Sequence, residues 1–372
     1  MKRGLVIDNG GSESRYKPYG GELHTLKNDY AILHDFNSFR VKELEDPLSI
    51  ARIVAAPKAE HEKCITHGEA CRQYTTDSIG MRSGEKKTDS LSYYLQFIYM
   101  VARSCMEENL KSARQAARTD TMIDTADYSD SHDYSIVTLI PLREHAGESD
   151  CVAKMKSMLA GSYTVEFPLV AGDNTVKFNI SANKLGVLPE DGVAIIGLKD
   201  IIMPQDYTLV IGLGHVTLDL ALYIGKQLAC NVKSEPHAGS TLISLIKDAL
   251  ADKGHYLDES MIGNVIETGK VRVGVREEDV SDIIYSQKSV FVSRYIKDDI
   301  IALLNAAKIN PAQIQYVLPS GALFNDVNNT GDILNMIIDK TGLNNAEVKR
   351  VSEDMRYVNI QMADLYIEGL MR

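Results

Sequence analysis

Short β-branched apolar runs recur along this chain, each stopped by glycine, proline or an acid, and between them apolar positions return at helical spacing. The run Gly4-Leu5-Val6-Ile7 ends on Asp8-Asn9-Gly10-Gly11-Ser12 and predicts a strand, a tight turn and a returning strand. An irregular polar region is expected to Glu62, then a short strand over 64–67. Leu91, Leu95, Ile98, Val101 and Cys105 predict a helix over 90–117 with those residues as its core face. The acidic, Ser/Thr-rich stretch 120–133 reads as a linker. A buried-strand pattern over 135–140 stops at Pro141, and a polar helix and a strand pair over 163–167 and 175–180 follow. Residues 182–188 lead into Pro189-Glu190-Asp191-Gly192, where proline before two acids is an N-terminal helix signal; Glu190 is expected in the first turn of a helix to about 196.

The second half repeats the opening. Leu209-Val210-Ile211 runs into Gly212-Leu213-Gly214-His215-Val216-Thr217-Leu218-Asp219, with a returning strand expected to Ile224. Glu235-Pro236-His237-Ala238-Gly239-Ser240 breaks into a strongly periodic helix over 242–250. One long helix is expected over 290–307, then a turn at Pro311 and a strand over 315–318 meeting Pro319-Ser320-Gly321-Ala322.

Each Gly-bearing loop taken singly is above all a hairpin turn. The pair carries more, because polar or acidic groups stand at both turns: Asp8, Asn9 and Ser12 in one, His215, Thr217 and Asp219 in the other. Small residues let backbone N–H groups approach a ligand, and hydroxyls, amides and carboxylates suit phosphate oxygens and a hydrated metal. Both halves thus read as α/β domains from a weak internal duplication, facing each other across a cleft.

Composition narrows the possibilities. With 372 residues and 44% hydrophobic content the chain can fill two cores. A formal net charge of -11 argues against direct nucleic-acid binding, so any DNA would be reached through an adaptor. The apolar start ends at Asp8, short of a signal peptide, and the charge-free stretch 90–102 is too short and polar to span a bilayer. Five cysteines without a Cys-x-x-Cys pair suit a reducing compartment, and together these features predict a cytoplasmic protein that does not engage membrane. The cluster His61, Cys64, His67 and Cys71 matches no familiar zinc spacing, and on a strand Cys64 and His67 would point apart.

Three motifs together resemble the phosphate-one, phosphate-two and adenosine motifs of the actin, Hsp70 and sugar-kinase superfamily: Asp-Asn-Gly-Gly-Ser, Gly-Leu-Gly-His-Val-Thr-Leu-Asp, and Ser-Gly-Ala. Val137-Thr138-Leu139-Ile140-Pro141-Leu142, Val187-Leu188-Pro189-Glu190 and Ala238-Gly239-Ser240 with its following helix extend the likeness over nearly the whole chain, which is most similar to bacterial actin-like proteins of the ParM type. The resemblance implies an actin-like fold of two duplicated ribonuclease H-like α/β domains flanking a nucleotide cleft. Domain I would take 1–200 with 356–372 returning to it and a small subdomain at about 34–74; domain II would take 206–355 with a small subdomain at about 234–304.

The same resemblance implies a filament that polymerises with ATP or GTP and Mg2+, hydrolyses the nucleotide, and moves plasmid or phage DNA through an adaptor. Asp8 would hold the metal's water shell. Asn9, Gly10, Gly11, Ser12 and Arg15 would surround the β- and γ-phosphates, and Glu190 would orient the attacking water. Gly214, His215, Val216 and Thr217 would form the second clamp. Gly239, Ser240, Ser320, Gly321 and Ala322 would line the nucleoside, with Lys270 and Arg272 as further candidates. Taken without the resemblance, Glu190 is a favourable acid at a helix start, and Lys270 and Arg272 are a solvated edge. A nucleotide-binding filament with little hydrolysis and a small-molecule kinase are the alternatives.

Three positions depart from the family pattern. Relatives usually open the second loop with Asp where this chain has Gly212, so slow hydrolysis is expected unless Asp8 or Asp219 compensates, and Gly212→Asp is expected to raise metal-dependent turnover if the missing carboxylate is the bottleneck. Pro319-Ser320-Gly321-Ala322 stands where relatives often carry consecutive glycines, and Arg15 where many carry Lys. Lys86, Lys87 and Arg356 read as surface charges without a code.

Overall fold

The computed structural model describes residues 3–10, 13–27, 30–33, 46, 48–59, 62–67, 71, 86–116, 131–147, 150–168, 175–230, 232–274, 276–325 and 332–372. They form two compact units, 1–188 with 363–372, and 189–362. The first loop's Gly11 and Ser12, His61 and most of the region at 34–74 lie outside the described residues.

In the first unit the apolar start is β1 (Arg3–Asn9), antiparallel to β2 (Glu13–Pro18), which pairs with β3 (His24–Lys27). The region expected to be irregular contains β4 (Tyr30–Leu33) and β5 (Ile50–Ala55) before β6 (Lys63–His67). Strand β5 pairs with its successor β6 and, across more than a hundred residues, with β8 (Gly161–Glu166), a partner that no local pattern announces. With β7 (His132–Ile140) and β9 (Thr175–Pro189) they make a nine-stranded sheet, ordered β3-β2-β1-β7-β9-β8-β5-β6-β4. The strand pattern at 175–180 and the stretch 182–188 are thus one long strand.

Helix α1 (Leu91–Ala116) covers this sheet. Leu95, Ile98, Val101 and Cys105 are fully buried, whereas Leu91 is exposed at the helix start. Tyr93, Tyr94, Phe97 and Tyr99 are buried as well, so α1 is enclosed on more than one face, beyond what an amphipathic stripe describes. Each such aromatic contributes about 1.5–3 kcal/mol of burial. Arg103, on the same helix, donates to the Tyr16 and Tyr99 hydroxyls and pairs with Asp46 at 2.7 Å and Glu107 at 2.9 Å, satisfying a charge beside the core. Short helices α2 (Leu142–Gly147) and α3 (Cys151–Leu159) follow β7.

The second unit repeats the local motif. Its β10 (Tyr207–Leu213) is antiparallel to β11 (Leu218–Ile224) and parallel to β16 (Ile314–Ser320), as β1 is to β2 and β7. Strands β12 (Gln227–Leu228) and β13 (Lys233–Glu235) pair with β11, and β17 (Glu347–Val348) with β16. Helix α4 (Gly239–Ala251) buries Leu242, Ile246 and Leu250, the stripe its periodicity predicts. Helix α5 (Glu259–Thr268) leads into a two-stranded ribbon, β14 (Lys270–Val273) and β15 (Arg276–Asp279).

The long helix expected over 290–307 is a composite. Helix α6 (Ser281–Phe291) passes through a π-helical turn, Val292–Ile296, into α7 (Lys297–Ala307). The extra residue per turn shifts the buried face, so one helical period cannot describe both parts. Helix α8 (Ile333–Thr341) completes this unit, and α9 (Val358–Met371) crosses the division of the chain at 362–363. No described helix is long and apolar enough to cross a membrane.

Candidate functional site

In the first unit the sheet delivers Asp8 and Asn9 to the end of β1, where both are buried: Asp8 is 4% exposed and Asn9 0%. The hairpin register sets Arg15 opposite Asp8, and the guanidinium lies 3.6 Å from the Asp8 carboxylate and 2.9 Å from that of Glu13. Arg15 is therefore already engaged by acids. The Gly10 N–H closes the turn onto the Glu13 carbonyl at 3.1 Å.

Asn9 is held by a relay. Gln96 on α1 donates to the Ser14 hydroxyl at 2.9 Å, and that hydroxyl donates to Asn9 Oδ1 at 2.7 Å. This leaves Asn9 Nδ2 buried with no hydrogen-bond partner among the described residues. An orphaned buried amide costs about 1–3 kcal/mol, and an incoming acceptor such as a phosphate oxygen would recover it.

Lys87, read as a surface charge, is 2% exposed. Its ammonium donates to the Asn9 carbonyl at 2.5 Å and the Leu139 carbonyl at 3.4 Å, tying together the ends of the parallel strands β1 and β7. The Glu144 carboxylate accepts from the backbone N–H groups of Lys87 and Thr88, at 3.0 and 2.9 Å. Lys87 thus stands beneath the loop whose residues were expected to grip phosphate.

In the second unit the loop after β10 is exposed from Gly214 to Thr217, closed by the Gly214 N–H on the Thr217 carbonyl at 3.0 Å. Gly239 and Ser240 open α4 against it: their N–H groups donate to the Gly214 and His215 carbonyls at 3.0 and 2.7 Å. These four residues, expected on two sides of a ligand, are direct neighbours, and those two N–H groups are bound to the loop rather than directed to a ligand.

Ser320 and Gly321 end the parallel strand β16 beside the same loop. Gly321 has φ +113°, and a Cβ there would overlap the Leu213 carbonyl, so glycine answers both a left-handed backbone and a close approach. Its N–H donates to the Met355 carbonyl at 3.0 Å; Met355 in turn donates to Asn325 Oδ1 at 2.8 Å. Ala322 begins the short helical turn between them. Asn325, Arg350, Ser352, Glu353 and Asp354 line a cavity of about 560 Å³ next to this turn. The Arg356 guanidinium beside Asp354 lowers that carboxyl to about 2.

Glu190 does not open a helix. It is half-buried in a turn between β9 and a 3-10 helix, Gly192–Leu198, that starts two residues later. The Gly192 N–H donates to the Glu190 carbonyl at 2.5 Å, and Asp191 between them has φ +56° and ψ -46°, a γ-turn of the rarer, strained hand. Distant groups hold it there: Asn359 Oδ1 accepts the Asp191 N–H at 2.7 Å, and Ser320 Oγ donates to Asp191 Oδ1 at 2.6 Å.

Asp191 also explains Gly212. A Cβ on Gly212 would overlap the Asp191 carboxyl group, so any side chain at 212 requires that carboxyl group to move. Gly212→Asp therefore displaces the Asp191 carboxyl group before it can place a second acid there. Asp219, expected to compensate, is 7% exposed and accepts from the Thr217 hydroxyl at 2.8 Å; burial raises its carboxyl pKa against the opposing pull of the Ser234 and Thr217 hydroxyls.

Lys270 and Arg272 lie on the exposed β14–β15 ribbon. Lys270 pairs with Glu277 at 3.1 Å and Arg272 donates to the Gly274 carbonyl at 3.2 Å, as a solvated edge does.

Comparison with solved structures gives full-length matches. The actin-like protein Alp7A superposes with a TM-score of 0.67 at 15% identity, covering 100% of this chain and 96% of that one. The archaeal actin homologue Ta0583 in complex with ADP gives 0.64 at 14% identity, covering 98% and 99%. A 15-stranded ParM filament from Clostridium botulinum gives 0.58 at 13% identity, covering 99% of each chain. The fold is actin-like. No protein-family model and no curated protein sequence matches the chain.

Within the actin-like fold, two residues of interest lay outside the sequence motifs. Lys87 looked like half of a solvated Lys-Lys pair, and Asp191 like a helix-start acid. One signal was available for Asp191: a glycine at 212 where an acid was expected asks what fills the space.

Proposed function

We propose that this protein is a nucleotide-dependent, filament-forming ATPase or GTPase that works with Mg2+ and moves or segregates plasmid or phage DNA through a DNA-binding adaptor. The observation that carries the reading is the buried end of β1, where Asp8 lies beside Arg15 and Asn9 is held by Ser14, Gln96 and Lys87 with its Nδ2 unpartnered among the described residues. A carboxylate for a hydrated cation beside a donor for phosphate is the donor set that a magnesium nucleotide requires. The likeness to Alp7A and to a ParM filament supports self-assembly, and the ADP complex of Ta0583 supports a nucleotide as the ligand. The net charge of -11 favours an adaptor over direct contact with DNA. Five free cysteines suit a cytoplasmic protein.

In this reading Asn9 and the Gly10 loop bind the β- and γ-phosphates, and Asp8 holds the water shell of Mg2+. The cation, when bound, neutralises phosphate charge. Glu190 accepts a hydrogen bond from the attacking water and aligns it, while its strained neighbour Asp191 fixes where the turn sits. Gly214, His215, Val216 and Thr217 present an exposed second clamp, and Ser320, Gly321 and Ala322 line the nucleoside side.

Sedimentation tests this directly. The protein should pellet with ATP or GTP plus Mg2+ and stay in the supernatant without nucleotide; a chain that remains monomeric at high concentration with both nucleotides overturns the filament reading.

A further inference from the structure

Three residues of the second unit lie in one register row across adjacent strands. Gly212 on β10 is aligned with Ser320 on parallel β16 and paired with Asp219 on antiparallel β11. Aligned residues of neighbouring strands project to the same face of a sheet, with paired Cβ atoms about 4.5–5.5 Å apart. Ser234 on β13 pairs with Asp219 and extends the row, which is therefore hydroxyl, no side chain, carboxylate, hydroxyl. Asp191 fills the gap: its carboxyl group occupies the volume a side chain at 212 would take, and Ser320, the neighbour in the row, donates to its Oδ1 at 2.6 Å.

Two further observations make this more than a packing detail. Asp219 is more than nine-tenths buried; Thr217 donates to its Oδ2, the Ser234 hydroxyl of the paired strand stands beside the carboxyl group, and Oδ1 makes no hydrogen bond of normal geometry among the described residues. A buried carboxylate with one oxygen outside normal hydrogen-bond geometry, on the face that also carries the Asp191 carboxyl group, fits a positively charged or strongly donating ligand. Asp191, for its part, is held at positive φ by Asn359 and Ser320 from 168 and 129 residues away, so the rest of the unit works to keep that carboxylate over Gly212.

We infer that Asp191 and Asp219 form a carboxylate pair over Gly212 that holds the hydrated divalent cation accompanying the nucleotide, Asp191 supplying from a neighbouring turn the carboxylate that position 212 lacks. The inference rests on the nucleotide reading given above. Carboxylate oxygens suit Mg2+, which keeps most of its waters and binds carboxylates through them. Asp191 and Asp219 bind the cation's waters; Ser320 is a positioning residue that sets the Asp191 carboxylate.

The test is the magnesium dependence of binding of a fluorescent ATP analogue, with bound Mn2+ counted by electron paramagnetic resonance. Asp191→Asn and Asp219→Asn should each raise the half-saturating Mg2+ concentration about 10-fold or more and lower bound Mn2+, while analogue affinity in EDTA stays at the parent value. The reciprocal exchange, Asp191→Gly with Gly212→Asp, should restore Mg2+ dependence to within about 3-fold of the parent, and Gly212→Asp alone should not. Unchanged Mg2+ half-saturation in Asp191→Asn, or loss of EDTA affinity equal to the loss with Mg2+, overturns the inference. A parent protein that binds no analogue at any Mg2+ concentration overturns the nucleotide reading itself, a separate result.

Discussion

The Lys87 ammonium donates to the carbonyl of Asn9 at 2.5 Å, placing a buried cation directly under the residue whose side-chain Nδ2 has no partner among the described residues. Lys87→Met keeps the length and removes the charge-assisted donor. We expect a loss of about 1–3 kcal/mol in urea unfolding, with weaker nucleotide binding because the ends of β1 and β7 are no longer tied. Unchanged stability and affinity would show that the ammonium is dispensable there.

Gly321→Ala places a Cβ against the Leu213 carbonyl on a backbone at φ +113°. Both costs act together, and a destabilisation of at least about 3 kcal/mol is expected by thermal or urea denaturation. Gly254→Ala, at φ +87° but with no atom near its Cβ, is the control that isolates backbone strain from the clash and should cost less.

Glu190→Ala should lower phosphate release about 100-fold while assembly persists and filaments live longer, since the substitution removes the acceptor for the water and leaves the phosphate loops intact. A malachite-green assay alongside sedimentation reads both. Equal phosphate release in variant and parent removes Glu190 from the chemistry.

Lys288 on α6 is buried, and desolvation lowers its ammonium pKa to about 8, against the raising influence of Asp332. A lysine whose folded value lies below its unfolded value costs stability wherever both states are protonated, and that cost fades as pH rises from about 8 to 10.5. Lys288→Met should therefore unfold later than the parent at pH 7, by about 2 kcal/mol, with the advantage shrinking across pH 8 to 10.5. Parallel stability curves over that range would contradict the burial cost.

Much of the fold was legible where one local signal sufficed. The runs 5–7 and 209–211 are buried on both faces of their sheets, so an unbroken β-branched stretch marked them correctly, and α1 showed in the spacing of Leu95, Ile98, Val101 and Cys105. What failed depended on distant partners. Pro189-Glu190-Asp191 has the composition of a helix start, but Ser320 and Asn359 capture Asp191 and turn it into a γ-turn. Lys87 beside Lys86 has the pattern of a wet surface, but the carbonyls that bury it arrive from 78 and 52 residues away. The helix at 290–307 kept its period only until the π-helical turn at Val292 reset the face.

The volume shared by Gly212 and Asp191 also constrains how such a loop can change over generations. An acid gained at 212 while Asp191 remains must push the Asp191 carboxyl group aside, and Asp191 lost while 212 stays glycine leaves Ser320 without its acceptor. The sterically open route between the two arrangements passes through a chain with glycine at both positions, which carries neither carboxylate. Sequences of this fold should accordingly show the acid at one position or the other, inherited as a linked pair rather than as two independent choices.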